Sequence, residues 1–184
     1  MKGNRAAITA VVAIALLAGG WWLFNRGEAA EPIDLLARFE TAEKRPNPET
    51  FTLRDVDLAG QTRRAIAIEP LPASRLRWRV LVPDDAWISV AVGLLPEAWE
   101  KEGNGVLFRI GVSDGRTFED LVTQHVNPFA NKGDRRWIPV MIDLSAYAGE
   151  EIELNFNTNS SPKDHPEDPR NDLAVWGAPE IVVR

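Results

Sequence analysis

The chain has 184 residues, of which 45% are hydrophobic, and this composition suits one packed domain and argues against intrinsic disorder. It contains no cysteine, which excludes disulfides, thiolate metal sites, a cysteine nucleophile and a lipid-modified cysteine. All 27 acidic residues follow position 27, together with 18 basic residues (21 less Lys2, Arg5 and Arg26), so this part has a formal charge of −9 and should repel nucleic acids.

The chain begins with a basic leader at residues 1–5 and continues with an uncharged apolar run at residues 6–24, AAITAVVAIALLAGGWWLF. As a helix this run would extend about 28 Å, close to the ~30 Å hydrocarbon thickness of a bilayer. Trp21 and Trp22 suit a membrane interface. We therefore predict a transmembrane signal-anchor helix at residues 6–24. The positive-inside rule places the leader in the cytoplasm and the folded part outside it, in the periplasm or at the cell surface.

A cleaved signal peptide is the competing interpretation of the same run. Its apolar region would be about 7 to 15 residues long and would end at a small-residue cleavage site. Ala18-Gly19-Gly20 has the composition of such a site, but the apolar run continues to Phe24. Its length favours the uncleaved anchor.

Residues 25–50 are predicted to be a linker with a short amphipathic helix at residues 32–45. Ile33, Leu36 and Phe39 follow helical spacing after Pro32, and the helix should end before Pro46. The favoured role of this helix is to pack on one end of the domain or to act as a spacer.

From residue 51 onward the chain alternates between apolar and polar positions in nine short segments, separated by turn residues. This spacing, without a long helical pattern, predicts an all-β antiparallel sandwich or barrel over residues 51–184. The predicted strands are 51–58, 64–68, 75–82, 87–94, 105–112, 118–126, 137–144, 151–158 and 173–183.

One of these strands carries a basic row, because Arg75, Arg77 and Arg79 alternate with apolar residues. Such a row can bind sulfated or carboxylated sugars through bidentate hydrogen bonds. The favoured interpretation is structural: the arginines should pair with acids such as Glu151 and Glu153 on a neighbouring strand, at roughly 0.2 to 1 kcal/mol per pair.

The loop at residues 160–172 is the most polar part of the chain. Asp164, Asp168 and Asp172 are weak candidates for calcium ligands, since calcium prefers oxygen. Their spacing does not match an EF-hand, and a solvated loop is the favoured interpretation. No other cofactor is predicted.

The sequence contains no convincing catalytic motif. His125 and His165 are the only histidines, which excludes a three-histidine zinc site, and no helical pattern follows Ser113 in its G-x-S-x-G sequence. A hydrolase with paired carboxylates stays open as the least favoured alternative, because acids are plentiful and their separation is invisible in a sequence. We predict that the chain is not an enzyme.

Aromatic residues can stack on sugar rings as well as fill cores, and the chain has seven tryptophans. Trp78, Trp87, Trp137 and Trp176 lie in strand patterns and are predicted to be core residues. Trp99 lies between strands, where it is a candidate for an exposed sugar platform or for a lid over the core.

The C-terminal half resembles the galactose-binding-like jelly-roll modules, which include discoidin-type domains and many carbohydrate-binding modules. The resemblance rests on W-x-P-V-x-I-D-L-S-x-Y-A-G from Trp137, I-x-L-x-F-x-T from Ile152 and V-W-G-x-P-x-I from Val175, and residues 103–110 are similar to the central strand of these modules. It covers residues 51–183 and describes a scaffold. It implies a jelly-roll sandwich with glycan-binding loops at one end, often with a structural calcium ion, and a place beside extracytoplasmic enzymes that process glycans.

These observations predict a membrane-anchored, extracytoplasmic module that binds a carbohydrate or cell-envelope polymer. The weak candidate ligand residues are Trp99, Asn127, Asn131, His165 and Asp168. The alternative is a docking or scaffold module for an envelope protein.

Overall fold

A computed structural model describes residues 31–160, 162 and 166–184. The predicted leader at residues 1–5 and the predicted transmembrane helix at residues 6–24 lie outside this range, as do Asp164 and His165. Within the described range, none of the helices has the length and apolar character that a membrane span requires.

The described residues form strands and short 3₁₀ helices. The strands are β1 Ile33–Asp34, β2 Glu43–Arg45, β3 Phe51–Leu58, β4 Gln61–Ile68, β5 Ala73–Leu81, β6 Ala86–Leu94, β7 Val106–Ser113, β8 Phe118–Val126, β9 Ile138–Asp143, β10 Glu151–Asn159 and β11 Ala174–Val183. The 3₁₀ helices are Phe39–Thr41, Pro48–Thr50, Pro96–Ala98, Lys132–Asp134 and Ser145–Tyr147. The nine predicted strands correspond to β3 through β11, which confirms the all-β class.

The strands pair antiparallel in two sheets. The first sheet has the order β3-β4-β11-β6-β9, with β1 also paired to β11, and the second has the order β2-β5-β10-β7-β8. Strand alternation explains which face of each sheet is buried. In β5, for example, Leu76, Trp78 and Val80 are buried, whereas Arg75 and Arg79 are exposed.

Aromatic side chains fill the space between the sheets. Trp78 from the second sheet meets Phe156 edge-on at 5.3 Å between ring centroids, and Phe156 lies 4.7 Å from Trp176 of the first sheet. Phe108 packs edge-on against Trp176 at 4.9 Å. Trp78 and Trp176 are therefore core residues, as predicted.

The other two predicted core tryptophans have different positions. Trp137 is buried in a separate cluster with Val56, Leu58 and Val175, and its Nε1 donates a hydrogen bond to the Gln61 carbonyl at 2.8 Å. Trp87 is only half-buried, and the Arg184 guanidinium lies 4.8 Å from its ring. The core prediction was wrong for Trp87, because β6 turns Ala86 and Ile88 into the core and Trp87 to the outer face, where its ring packs against the Arg184 guanidinium.

The predicted amphipathic helix at residues 32–45 is wrong. The segment instead contains β1, one 3₁₀ turn and β2, and its strands join one sheet each. The Asp34 carboxylate accepts hydrogen bonds from the backbone N–H groups of Leu36 and Ala37 at 2.7 and 3.1 Å, which turns the chain after β1.

Tertiary contacts then hold the segment in this form. Leu35 is fully buried, its N–H donates to the Pro179 carbonyl at 3.1 Å, and Trp78 Nε1 donates to the Arg38 carbonyl at 3.2 Å. The helical spacing of the apolar residues was therefore a coincidence, because each of these residues contacts the core separately. The sandwich includes residues from Ile33 onward.

Candidate functional site

A row of polar side chains crosses the outer face of the second sheet from β2 to β8. The strand register aligns Arg45, Arg75, Asn157, Arg109 and Thr123 on successive strands, so the five residues share one level of the sheet. Neighbouring strands are about 4.8 Å apart, which places the three arginines within roughly 15 Å. The row lies near the sandwich end that carries the β6–β7, β8–β9 and β10–β11 loops.

Four residues of this row, Arg45, Arg75, Asn157 and Arg109, line a cleft with a volume of about 510 Å³. The volume falls within the range of about 300 to 1,000 Å³ that is usual for small-molecule sites. We call it the arginine cleft. Its lining consists of Arg45, Pro46, Ala73, Ser74, Arg75, Arg109, Phe118, Asn157, Thr158 and Asn159.

Phe118 supplies an aromatic surface at the β8 edge of the arginine cleft. Its side chain is one of the most exposed large apolar groups among the described residues, at 46% exposure. A Cβ added at Gly111 would lie 2.5 Å from the Phe118 ring, so the ring can lie over β7 only because residue 111 has no side chain.

The hydrogen bonds of the row leave its arginines in different states. Arg75 Nε donates to Asn157 Oδ1 at 2.9 Å, and Arg75 forms no salt bridge with any residue that the structure describes. Arg45 pairs with Glu43 at 2.6 Å, and Arg109 pairs with Asp120. Within the described residues, Arg75 is thus the arginine of the row whose positive charge is not neutralised by a carboxylate, so it is available to bind a ligand.

The structural interpretation of the basic strand is confirmed for the other two of its arginines. Arg77 bonds to Glu153 at 2.8 Å and also to Glu43, and Arg79 reaches Glu153 at 3.4 Å. Hydrogen bonds from Arg77 and Arg45 lower the pKa of Glu43, and the same contact raises the pKa of Arg77. Glu43 and Arg77 therefore stay charged at neutral pH, and their ion pair links β2 to β5 beside the cleft.

The sequence also suggested ligand residues in the end loops, but these residues do not line the arginine cleft. Their polar groups form hydrogen bonds within the protein instead. Trp99 is half-buried, and its Nε1 donates to the Leu94 carbonyl at 2.8 Å, which fits a lid over the second cluster. Asn127 Nδ2 donates to the Gly103 carbonyl at 3.2 Å. Asn131 donates to Asp134 at 2.8 Å and accepts from the Gly133 N–H at 3.0 Å. The structure brings these loops together, and their role as ligand residues stays a prediction.

The two described calcium candidates, Asp168 and Asp172, fit a metal poorly. Asp168 accepts two hydrogen bonds from the Arg170 guanidinium, each at 2.7 Å, so both of its oxygens are engaged. Asp172 is buried, and its Oδ2 has no hydrogen-bond partner among the residues that the structure describes. No group of three or more possible metal ligands occurs among the described residues. Because Asp164 lies outside them, the calcium site stays a prediction, and the described pair alone does not form one.

Sequence reasoning missed Arg45, Arg109, Phe118 and Asn157 as parts of one site. Each lies on a different strand. The strand register brings Arg45, Asn157 and Arg109 to one level, whereas Phe118 is paired with Ser113 and reaches the cleft through its ring, which lies against Gly111. The sequence did show that Asn155 and Asn157 alternate with apolar residues and so lie on the polar face of their strand. This pattern does not reveal which strands are neighbours.

Comparisons with known proteins bear on the fold. No family model matches the chain. An uncharacterized protein of Archaeoglobus fulgidus is 35% identical over 104 residues, which cover 55% of this chain and 25% of the relative. The chain thus spans about a quarter of the length of that relative.

Two solved structures are similar in fold. One is TmCBM61 in complex with β-1,4-galactotriose, with a TM-score of 0.53, 14% identity, and coverage of 79% of this chain and 90% of that one. The other contains CBM51-2 of Clostridium perfringens ZmpB in complex with GlcNAc, with a TM-score of 0.51, 14% identity, and coverage of 84% of this chain and 32% of that one. The described chain therefore has the galactose-binding-like jelly-roll fold that carbohydrate-binding modules share.

Proposed function

We propose that the chain is a membrane-anchored, extracytoplasmic module that binds a carbohydrate in the arginine cleft. The observation that carries this proposal is the alignment of Arg45, Arg75, Asn157 and Arg109 on the outer face of one sheet, with the exposed Phe118 ring at its edge. Residues on strands are held more precisely than residues on loops, which suits a site that must recognise fixed hydroxyl positions.

The chemistry of the row matches that of a sugar. Guanidinium N–H groups donate to hydroxyl and ring oxygens, and an asparagine amide both donates and accepts. The face of an aromatic ring packs against the apolar C–H face of a pyranose. Arg75, Asn157 and Phe118 together offer all three kinds of contact.

Binding without catalysis is the simplest use of this cleft. Its lining, drawn from the described residues, includes no aspartate, glutamate or histidine to exchange a proton with a substrate. The similarity of fold to modules whose structures were solved with galactotriose and GlcNAc supports a binding role.

A printed array of neutral and charged glycans tests this proposal with the purified full-length chain. We expect saturable binding to one class of glycan, and we expect Asn157→Ala to weaken it about tenfold, as for the loss of one or two hydrogen bonds. Asn131→Ala is the matched control, because it removes the same amide from the end loops.

Two array results would count against the cleft. Loss of binding in Asn131→Ala but not in Asn157→Ala would move the site to the end loops. If the array shows no binding and a pull-down from membranes retains an envelope protein, the chain is a docking module.

The membrane anchor is the second part of the proposal, and it is supported by the 19 uncharged residues at 6–24. The absence of native cysteine permits a clean test with single cysteines at Gly3 and at the exposed Thr52 of β3. A membrane-impermeant maleimide added to bacterial spheroplasts should label Thr52→Cys but not Gly3→Cys. The opposite pattern, or recovery of the chain outside the membrane fraction, would contradict the anchor.

A further inference from the structure

The charge of the arginine cleft differs in sign from that of the whole chain, whose formal net charge is −6. Three arginines line the cleft, and its lining within the described residues contains no acid. We propose that the ligand is an anionic glycan, whose carboxylate or sulfate groups bind the guanidinium row at Arg75. This inference rests on the proposed carbohydrate function and narrows it to a class of sugar.

The excess of positive charge persists after the existing salt bridges are counted. The outer face of the second sheet carries five arginines, at positions 45, 75, 77, 79 and 109. Four of them pair with three carboxylates, those of Glu43, Glu153 and Asp120. This leaves +2 (5 − 3), or +1 (5 − 4) when Glu151 on the same face is also counted. Glu151 lies at the opposite end of β10 from Asn157. A neutral sugar would not require this excess, whereas an anionic one is attracted by it.

Arg75 is the strongest candidate for direct contact with the anion. It lies between Arg45 and Asn157 in the row and is exposed, and its Nε already donates to Asn157. This bond fixes the plane of the guanidinium while the remaining N–H groups stay available. A planar guanidinium held in this way can bind a carboxylate or sulfate through two parallel hydrogen bonds.

The row also suits a polymer better than a single small anion. Arg45 lies one strand from Arg75, and Arg109 lies two strands away on the other side, so positive charges recur across the sheet at multiples of about 4.8 Å. Phe118 adds a surface for an apolar sugar face beyond Arg109. Inorganic phosphate or an isolated carboxylate would use only one of these features.

Matched pairs of polysaccharides test the inference with the full-length chain. Polygalacturonate and its methyl ester differ only in the carboxylate charge, and dextran sulfate and dextran differ only in the sulfate. We expect at least tenfold tighter binding to the charged member of one pair or both, and the pair that responds identifies the anion. Binding should weaken as salt is raised, since salt screens charges at an exposed site.

Two arginine variants separate a built site from general charge attraction. Arg75→Gln should weaken binding to the charged polymer about tenfold, as for the loss of a charge-assisted hydrogen bond. Arg54→Gln makes the same charge change at an exposed position of β3 in the first sheet and should have no such effect. Arg75→Lys keeps the charge and loses the planar fork, so it should bind with intermediate affinity and serves if the Gln variant does not fold.

The outcomes distinguish this inference from the proposed function. Equal affinity for the charged and neutral polymers, with binding still lost in Asn157→Ala, would overturn the anionic ligand and leave carbohydrate binding in place. Equal losses in Arg75→Gln and Arg54→Gln would show general polyelectrolyte attraction and would also overturn it. Absence of binding to every neutral and charged glycan would overturn both.

Discussion

Gly111 of β7 lies directly under the ring of Phe118 on β8. A Cβ at position 111 would be 2.5 Å from the ring and 2.6 Å from the Glu119 carbonyl oxygen, so the two strands can pair in this register only when residue 111 is glycine. The close contact also explains how the exposed Phe118 ring can reach the edge of the arginine cleft. This pair connects the packing of the sheet to the shape of the proposed site.

Gly111→Ala should therefore destabilise the protein by about 1 to 3 kcal/mol and displace the Phe118 ring, because the added methyl group overlaps backbone as well as side-chain atoms. Urea unfolding measures the first effect, and glycan affinity measures the second. Gly103→Ala is the control, since its added methyl group would meet only the Arg170 carbonyl, at 3.4 Å. Equal stability of the two variants would contradict the described contact.

The segment before β3 belongs to the core, and a pair of leucines tests this. Leu35→Ala should lower the free energy of unfolding by about 2 to 5 kcal/mol, because Leu35 is fully buried between the sheets. Leu36→Ala should cost less than half as much, because Leu36 is only partly buried. The predicted helix would have buried Leu36, so a larger loss for Leu36→Ala in urea unfolding would restore that prediction.

Strand positions after residue 50 could be predicted from alternation, whereas the first 20 described residues could not. In the middle of β5 and of β10 apolar residues recur at every second position, and a half-buried strand imposes this pattern directly. In residues 31–50 the pairing partners Ile181 and Arg77 lie more than 30 positions away, and the turn depends on the Asp34 side chain. No local pattern encodes such contacts, so helical spacing was misleading.

The site was predictable only in part for the same reason. Arg75 was recognised as one of a basic row, and the pairing of Arg77 and Arg79 with Glu153 followed from charge alone. The proximity of Arg45, Arg109 and Phe118 depends on the strand order β2-β5-β10-β7-β8, which alternation does not reveal.

Asp172 should make stability depend on pH. Burial, together with the charge of Asp168, raises its pKa from 3.8 to about 7. Between these values the folded state holds a proton that the unfolded state releases, so the contribution to stability is full below pH 3.8 and is lost as the pH rises through 7.

Asp172→Asn removes this ionisation while preserving the shape of the side chain. The variant should gain stability relative to the native chain as the pH is raised from 5 to 8, by up to about 3 kcal/mol, because about two pH units of this window lie below the raised pKa. Urea unfolding at the two pH values, in a chelator that removes calcium, measures the difference. A difference between variant and native chain that stays constant with pH would refute the buried ionisation.

Glu43 should limit the affinity for anions, because it neutralises Arg45 and also bonds to Arg77. Glu43→Gln frees Arg45 and leaves Arg77 paired with Glu153 alone, so we expect it to tighten binding of the charged polysaccharide several-fold at low salt, with a smaller gain at high salt. Asp55→Asn is the control, because Asp55 pairs with Arg64 on the first sheet. Binding in Glu43→Gln that is no tighter than in Asp55→Asn would contradict a role for the freed Arg45.

Nuclear magnetic resonance of the full-length chain during a glycan titration tests the location of the site most directly. The account predicts that the largest shifts will occur at the Asn157 amide, the Arg75 Nε–H and the backbone of Phe118, all at the arginine cleft. Shifts concentrated at Trp99, Asn127 and Asn131, with the cleft unchanged, would contradict it and place the ligand at the end loops.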